Sequence, residues 1–173
     1  MKTTTSVISA LLQREIKGMQ AEVAAYPDDQ AVWRLLPGWS NSAGTLVLHT
    51  AGNLRHYIGE VLGKDGYVRD REAEFASRGL SRQELDEELQ LALEAVARAL
   101  EALGGHRGDM PDPLTLPYPL ELPGGRRLST GGMLLHLLSH AAYHLGQVDF
   151  HRRAITGMGE TVGTVALGDV PDL

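Results

Sequence analysis

The chain has 173 residues, of which 43% are hydrophobic and only 5% aromatic, and its formal net charge is −6. This length suits one domain with a core of Leu, Val and Ala, and the acidic balance argues against a nucleic-acid-binding protein. Because the sequence has no cysteine, disulfides, thiolate metal sites and cysteine nucleophiles are excluded.

The sequence gives no sign of membrane insertion or export. No apolar run approaches the ~20 residues that a membrane-spanning helix needs. Residues 1–10 also lack the apolar segment and the cleavage site of a signal peptide. We therefore expect a cytoplasmic protein without a membrane partner.

Hydrophobic periodicity predicts two long helices in the first part of the chain. The first runs from about Ser6 to Ala25, with apolar residues at helical spacing. Residues 30–36 can add one or two turns before a Pro-Gly break. The second helix runs from about Ala43 to Leu62, with Ser40 as its predicted N-cap and a glycine after it.

Two further long helices follow a charged connector at residues 64–78, in which the alternating charges of Arg69 to Glu74 are expected to form surface pairs of little energetic weight. A capping box at residues 81–84 opens the third helix, which continues to Leu103. Residues 104–127 are rich in proline and glycine, which predicts a structured loop in preference to a short hairpin. Ser129 or Thr130 then caps the fourth helix, which extends to about Ile155.

Four long helices without an internal repeat indicate an all-α protein, a four-helix bundle. We place this bundle in residues 1–156, with a long irregular loop before its last helix. Residues 157–173 form a Gly-rich C-terminal tail that is either disordered or packed onto a partner.

The seven histidines are unevenly distributed over these elements. Two lie on the predicted second helix and four on the predicted fourth helix, while one falls in the loop between helices. In that order they are His49, His56, His136, His140, His144, His151 and His106. Such clustering on two helices is typical of a metal site, because bundle sites are built from inward-facing side chains of different helices.

Spacing on the fourth helix limits which histidines can share one ion. His140 and His144 lie four residues apart, so they project from one face about one turn apart. His136 continues the same stripe, but it lies ~12 Å from His144 along the axis, and these two cannot share an ion. The pair is therefore His136/His140 or His140/His144, and His140 belongs to both.

A third ligand is expected from the second helix. His49 is the natural donor, because it lies among apolar residues where a metal-bound neutral ring is tolerated better than an imidazolium. His56 is the weaker candidate. The alternative is that these histidines are ordinary hydrogen-bonded core residues.

Two segments resemble the DinB/YfiT superfamily. Residues 136–147, His-Leu-Leu-Ser-His-Ala-Ala-Tyr-His-Leu-Gly-Gln, look like its last-helix signature, in which His and three residues precede His-x-Gly-Gln. Residues 37–40, Pro-Gly-Trp-Ser, and the following Leu-His-Thr-Ala at 48–51 are similar to its second-helix segment. The resemblance extends from about Trp33 to Ala154. Ala141 and Leu145 stand where the family often has Glu and Arg, so the surroundings of the ligands differ there.

The resemblance implies a metal site, a fold and an activity. The ligands would be His49, His140 and His144, holding zinc or nickel with positions left for water or substrate. The bundle would have up-down-down-up topology and form a homodimer. The activity would be S-transfer from a low-molecular-weight thiol, of bacillithiol or mycothiol type, to an electrophilic small molecule. Because the chain has no cysteine, the thiol must come from outside.

Two other functions remain open at this point. A hydrolase would use a metal-bound hydroxide and needs a general base nearby, but no carboxylate stands in a motif position. A non-catalytic, metal-stabilised stress or binding protein would have a closed metal shell. Gln147 either orients a ligand or packs between helices. His136 is expected to lie behind the ligands, at the rim of a pocket or, in preference to these, buried in the core.

Overall fold

A computed structural model describes residues 3–105, 111–122, 124–163, 165, 166, 168 and 170. Within these residues the protein is all-α, as predicted, with no strand and only two isolated β-bridges. The described residues form five α-helices: α1 (Thr4–Ala24), α2 (Ala43–Leu54), α3 (Arg71–Ala76), α4 (Arg82–Gly104) and α5 (Thr130–Thr156). The short α3 lies in the predicted charged connector. No helix among the described residues is long and apolar enough to span a membrane.

Hydroxyl side chains start the long helices. The predicted capping box of α4 is confirmed: Ser81 accepts from the Glu84 N–H, and the Glu84 carboxylate accepts from the Ser81 N–H. The prediction of Ser40 as the cap of α2 is wrong, because Ser42 accepts from the Thr45 N–H at 3.2 Å. An N-cap side chain bonds to an N–H two or three residues later, so the cap must directly precede the helix.

The four long helices pack around one apolar core. Helices α4 and α5 each contact both α1 and α2, and α3 packs on α2. The core consists mainly of Leu, Ile, Val and Ala, as the composition predicts. Its largest fully buried apolar side chains include Leu12, Ile16, Met19, Leu54, Ile58, Leu85, Leu89, Leu100, Leu134 and Leu137.

Helix α2 continues into a π-helical turn, Arg55–Glu60, where regular α-helix was expected as far as Leu62. The Val61 N–H donates to the carbonyl of His56, whereas the Leu62 N–H donates to that of Ile58, so the Tyr57 carbonyl is passed over. The Tyr118 hydroxyl donates to this carbonyl at 2.6 Å. The π-turn therefore anchors the loop that precedes α5 to the end of α2.

The loop before α5 is structured, as predicted, without forming strands. The Tyr118 N–H donates to the Leu128 carbonyl at 2.9 Å, and the Leu122 N–H donates to the Arg126 carbonyl at 3.1 Å. These bonds bring the loop back on itself next to α2 and α5. Residues 106–110 and 123 lie outside the described part of the loop.

The beginning of the predicted C-terminal tail packs against its own chain. The buried Arg152 of α5 donates to the Glu160 carbonyl at 2.5 Å, and the Gly163 N–H donates to Glu22 of α1 at 3.0 Å. Residue 160 is thus hydrogen-bonded to α5, and residue 163 is hydrogen-bonded to α1. The division of the chain into residues 1–156 and 157–173 stays a prediction.

Candidate metal centre

Three of the seven histidines converge between α2 and α5. His49 comes from α2, and His140 and His144 come from successive turns of α5. One ring nitrogen from each lies within 4.8 Å of the other two. The ring centroids of His49 lie 5.2 Å from His140 and 5.3 Å from His144, and those of His140 and His144 are 4.4 Å apart. We call these three residues the histidine cluster.

The spacing of the cluster is suited to one divalent ion. The Nε2 atoms of His140 and His144 are 3.2 Å apart. Two nitrogens at about 2.0–2.1 Å from a tetrahedral zinc ion would be about 3.3–3.4 Å apart. Among neutral ligands, imidazole is one that zinc and nickel both accept. The donor set and the spacing therefore fit the ion that the sequence predicts.

Hydrogen bonds orient two of the three rings toward a common point. Gln147, one turn after His144, accepts from the His144 Nδ1–H through Oε1 at 2.7 Å. Glu74 accepts from the His49 Nδ1–H through Oε2 at 3.0 Å. With Nδ1 protonated in this way, the lone pair of Nε2 in each ring is free to bind an ion. Such outer partners fix the tautomer and the orientation of metal-binding histidines.

Glu74 was missed by the sequence analysis, which treated residues 69–74 as surface charges of little energetic weight. That interpretation is wrong, because the side chains of Arg69 and Glu74 are only 10% and 6% exposed. Arg69 donates to both oxygens of Glu74, at 2.6 Å and 2.8 Å. This fork-shaped pair holds the carboxylate of Glu74 in place beside His49.

A glycine allows Glu74 to lie so close to α2. A Cβ atom on Gly52 would collide with the Glu74 carboxylate. Gly52 follows His49 by three residues, so it lies on the same side of the helix. Two features of the sequence could therefore have indicated Glu74. One is Gly52, close to the predicted ligand His49. The other is Asp70, which caps α3 by accepting from the Ala73 N–H.

The surroundings keep the relevant groups in the protonation states that a metal site requires. Burial, with the neighbouring imidazoles of His144 and His49, lowers the pKa of His140 to about 4. Burial also lowers the pKa of His144. Although burial opposes ionisation of Glu74, hydrogen bonds from Arg69 and His49 hold the pKa of its carboxyl below the ordinary value. Near neutral pH, the rings of His140 and His144 are therefore uncharged and Glu74 is a carboxylate.

The other histidines that the structure describes do not join the cluster. The prediction that His136 is buried is wrong: it is exposed, and its ring centroid lies 6.1 Å from that of His140. His151 is buried, accepts from the Tyr26 hydroxyl and donates to the Arg34 carbonyl, so it ties α5 to the segment between α1 and α2. His56 is half-buried on the π-turn. His106 lies outside the described residues.

Together, the helical fold and the cluster define an all-α protein with a histidine site suited to one divalent ion. The chain belongs to the mycothiol-S-transferase family, whose sequence model matches residues 7–157. This match confirms the resemblance to the DinB/YfiT superfamily, and it spans the whole cluster together with Glu74 and Gln147. No curated protein and no solved structure matches the chain.

Proposed function

We propose that the protein is a metal-dependent S-transferase that activates a low-molecular-weight thiol, of mycothiol or bacillithiol type, for attack on an electrophile. In this proposal His49, His140 and His144 hold one zinc or nickel ion. The observation that carries it is that one nitrogen from each of three imidazoles lies within 4.8 Å of the other two, with two of the rings oriented by Glu74 and Gln147. Membership of the mycothiol-S-transferase family supports a thiol as the substrate.

A divalent ion bound here supplies a Lewis acid that favours the thiolate form of a thiol. The residues of the chain fix the geometry: Glu74 and Gln147 hold two rings, and Arg69 holds Glu74. In the transfer, the sulfur forms a bond to an electrophilic carbon and the leaving group departs with its electron pair. The proton of the thiol passes to solvent.

A hydrolase is supported less well, because its general base is not evident. Among the described residues, Glu74 is the carboxylate that contacts the cluster, and both of its oxygens are engaged. Its depressed pKa also makes it a poor proton acceptor near neutral pH. A hydroxide nucleophile would therefore lack the partner that hydrolysis requires.

Metal removal tests the proposed activity directly. We expect the purified protein to consume monobromobimane, an electrophile, only when a thiol is present, and to form the thioether in equal amount. A chelator should lower the rate of thioether formation to that of the uncatalysed reaction between thiol and electrophile, and Zn²⁺ or Ni²⁺ should restore the faster rate, as measured by mass spectrometry of the product. Electrophile loss without thiol would point to hydrolysis. No reaction with any thiol, despite bound metal, would favour a non-catalytic binding protein.

Replacing Glu74 should weaken metal binding without removing a ligand. We expect Glu74→Gln to lower the affinity for Zn²⁺ by about 10–100-fold, the range for loss of an outer partner of a metal-bound histidine. The measurement is a competition titration of the metal-free protein against a chelator. Glu72→Gln is the matched control, because Glu72 is exposed on the same helix α3. Equal affinities of the two variants would contradict the role of Glu74.

We also propose that the long helices form an up-down-down-up bundle and that the protein is a cytoplasmic homodimer. An exposed face of α5 with large apolar side chains, Leu135, Tyr143 and Phe150, supports the dimer. In the described part of the chain, no neighbouring helix comes within 4 Å of a Cβ atom placed on Gly146 of α5. Light scattering of the eluted protein measures the oligomeric state, and a monomer mass would exclude the dimer.

A further inference from the structure

His140 differs from the other two residues of the histidine cluster, because no outer partner holds its ring. Glu74 holds the ring of His49 and Gln147 holds that of His144, each through the Nδ1 atom. Within the described part of the chain, His140 is hydrogen-bonded only through Nε2, to the Nε2 atom of His144. Since outer partners fix the orientation of metal-binding histidines, the ring of His140 is freer to turn than the other two.

A fourth histidine lies next to this unfixed ring. His136 precedes His140 by four residues on α5, and the centroids of the two rings are 6.1 Å apart. Two histidines at this spacing lie on one face of a helix and can bind the same ion, as they do in helical zinc sites. By turning about its side-chain bonds, His140 can therefore face either His136 or the other two rings of the cluster.

The four rings become less exposed from His136 towards His49. The side chain of His136 is exposed, and those of His140 and His144 are half-buried. His49 is the innermost residue, with an exposed fraction of 8%. An ion that comes from solvent therefore meets His136 first. It can then give up its water in steps, because each ring that binds takes the place of a water molecule.

We propose that His136 and His140 form an outer metal site through which a divalent ion passes on its way to the histidine cluster. His140 belongs to both sites. It keeps the ion while the bond to His136 breaks and bonds to His49 and His144 form, and each ring binds as a neutral imidazole. His136 is thus needed for loading and not for holding the ion. The inference rests on the metal site of the proposed function, whatever reaction that site catalyses.

The rate of metal uptake tests this route. Metal-free wild type and His136→Ala are mixed with Co²⁺ in a stopped-flow spectrometer, and the visible absorption of the bound ion reports its arrival at the cluster. We expect His136→Ala to take up the ion several-fold more slowly and to reach the same equilibrium affinity. At equal affinity, release of the ion into excess chelator must slow by the same factor. Ser139→Ala is the matched control, because Ser139 is exposed on the same helix between the two histidines, and it should change neither rate.

Each contrary result of this experiment overturns the proposal. Equal uptake rates in wild type and His136→Ala would show that the ion reaches the cluster without His136, while the metal site itself stands. A lower equilibrium affinity of His136→Ala would show that His136 helps to hold the final ion. Failure of wild type to bind Co²⁺ at all would overturn the metal site of the proposed function as well.

A second set of variants detects the outer site by itself. The variant His49→Ala/His144→Ala removes two rings of the cluster and leaves the pair of His136 and His140. We expect it to bind one Ni²⁺ weakly in calorimetric titrations and to lose this binding when His136→Ala is added. No binding before the addition, or equal binding after it, would overturn the proposal. Circular dichroism checks that the double variant keeps its helices, and the uptake rates decide the question if it does not.

Discussion

Replacing His140 by Ala is expected to abolish stoichiometric metal binding. The His140 ring contacts both of the others, at centroid distances of 5.2 Å from His49 and 4.4 Å from His144. Its loss leaves two imidazoles, one fewer than the three protein ligands that catalytic zinc sites have. We expect the affinity for Zn²⁺ to fall by more than about 100-fold, beyond the effect of losing an outer partner. Plasma mass spectrometry of the purified protein measures the retained ion.

The control for this variant is His136→Ala. It makes the same truncation one turn earlier on the same helix, at an exposed side chain that lies outside the cluster. Circular dichroism should show equal helix content in both variants, so that a difference in metal content reports on the site alone. If His136→Ala retains the ion and His140→Ala loses it, the assignment holds. Equal metal content in both would refute it.

A third variant separates the two pairs that sequence spacing leaves open. His144→Ala should lose the ion if the pair is His140/His144, whereas His136→Ala should lose it if the pair is His136/His140. The ring centroids favour the first pair, because they lie 4.4 Å apart against 6.1 Å for the second. Both spacings are four residues along one helix, so the partner helix α2 makes the difference. Because His49 faces His140 and His144, it favours this pair over the pair that contains His136.

Helical periodicity was the part of the fold that sequence could predict. The positions of all four long helices follow from apolar spacing, since each buries one stripe against the others. The ends were less predictable. The cap of α2 was placed two residues too early, and the π-turn at its other end depends on a hydroxyl far along the chain, that of Tyr118. A contact between residues 61 positions apart leaves no local pattern.

The residues of the site were likewise predictable where they lie on long helices and were missed where they depend on contacts between distant parts of the chain. His49, His140 and His144 lie on long helices, where spacing indicates which side chains share a face. Glu74 lies on a helix of six residues in an irregular connector, too short to show a periodic pattern. Its burial depends on the space above Gly52 and on the pairing with Arg69. Charge alternation alone therefore cannot distinguish such a buried pair from solvated surface charges.

A large loss of stability is expected when Arg152, which lies far from the histidine cluster, is replaced. This side chain and that of Glu22 are 0% and 1% exposed, and they form an ion pair between α5 and α1. Arg152 also donates to Asp149 at 3.2 Å, and Glu22 accepts from the Gly163 N–H. Removing the guanidinium would leave the Glu22 carboxylate buried without its partner. Breaking such a pair typically costs about 3–5 kcal/mol of unfolding free energy.

Arg152→Met is therefore expected to lower the unfolding free energy by about 3–5 kcal/mol in urea titrations. Arg153→Met is the matched control: its side chain is 32% exposed and pairs with Asp149 at 2.9 Å, so its loss should cost at most about 1 kcal/mol. The double variant Arg152→Met/Glu22→Leu should recover part of the lost stability, because it removes both buried charges. Metal content should stay unchanged in all three, since Arg152 lies ~12 Å beyond His144 along α5. Equal stabilities of Arg152→Met and Arg153→Met would show that the buried pair does not hold the two helices together.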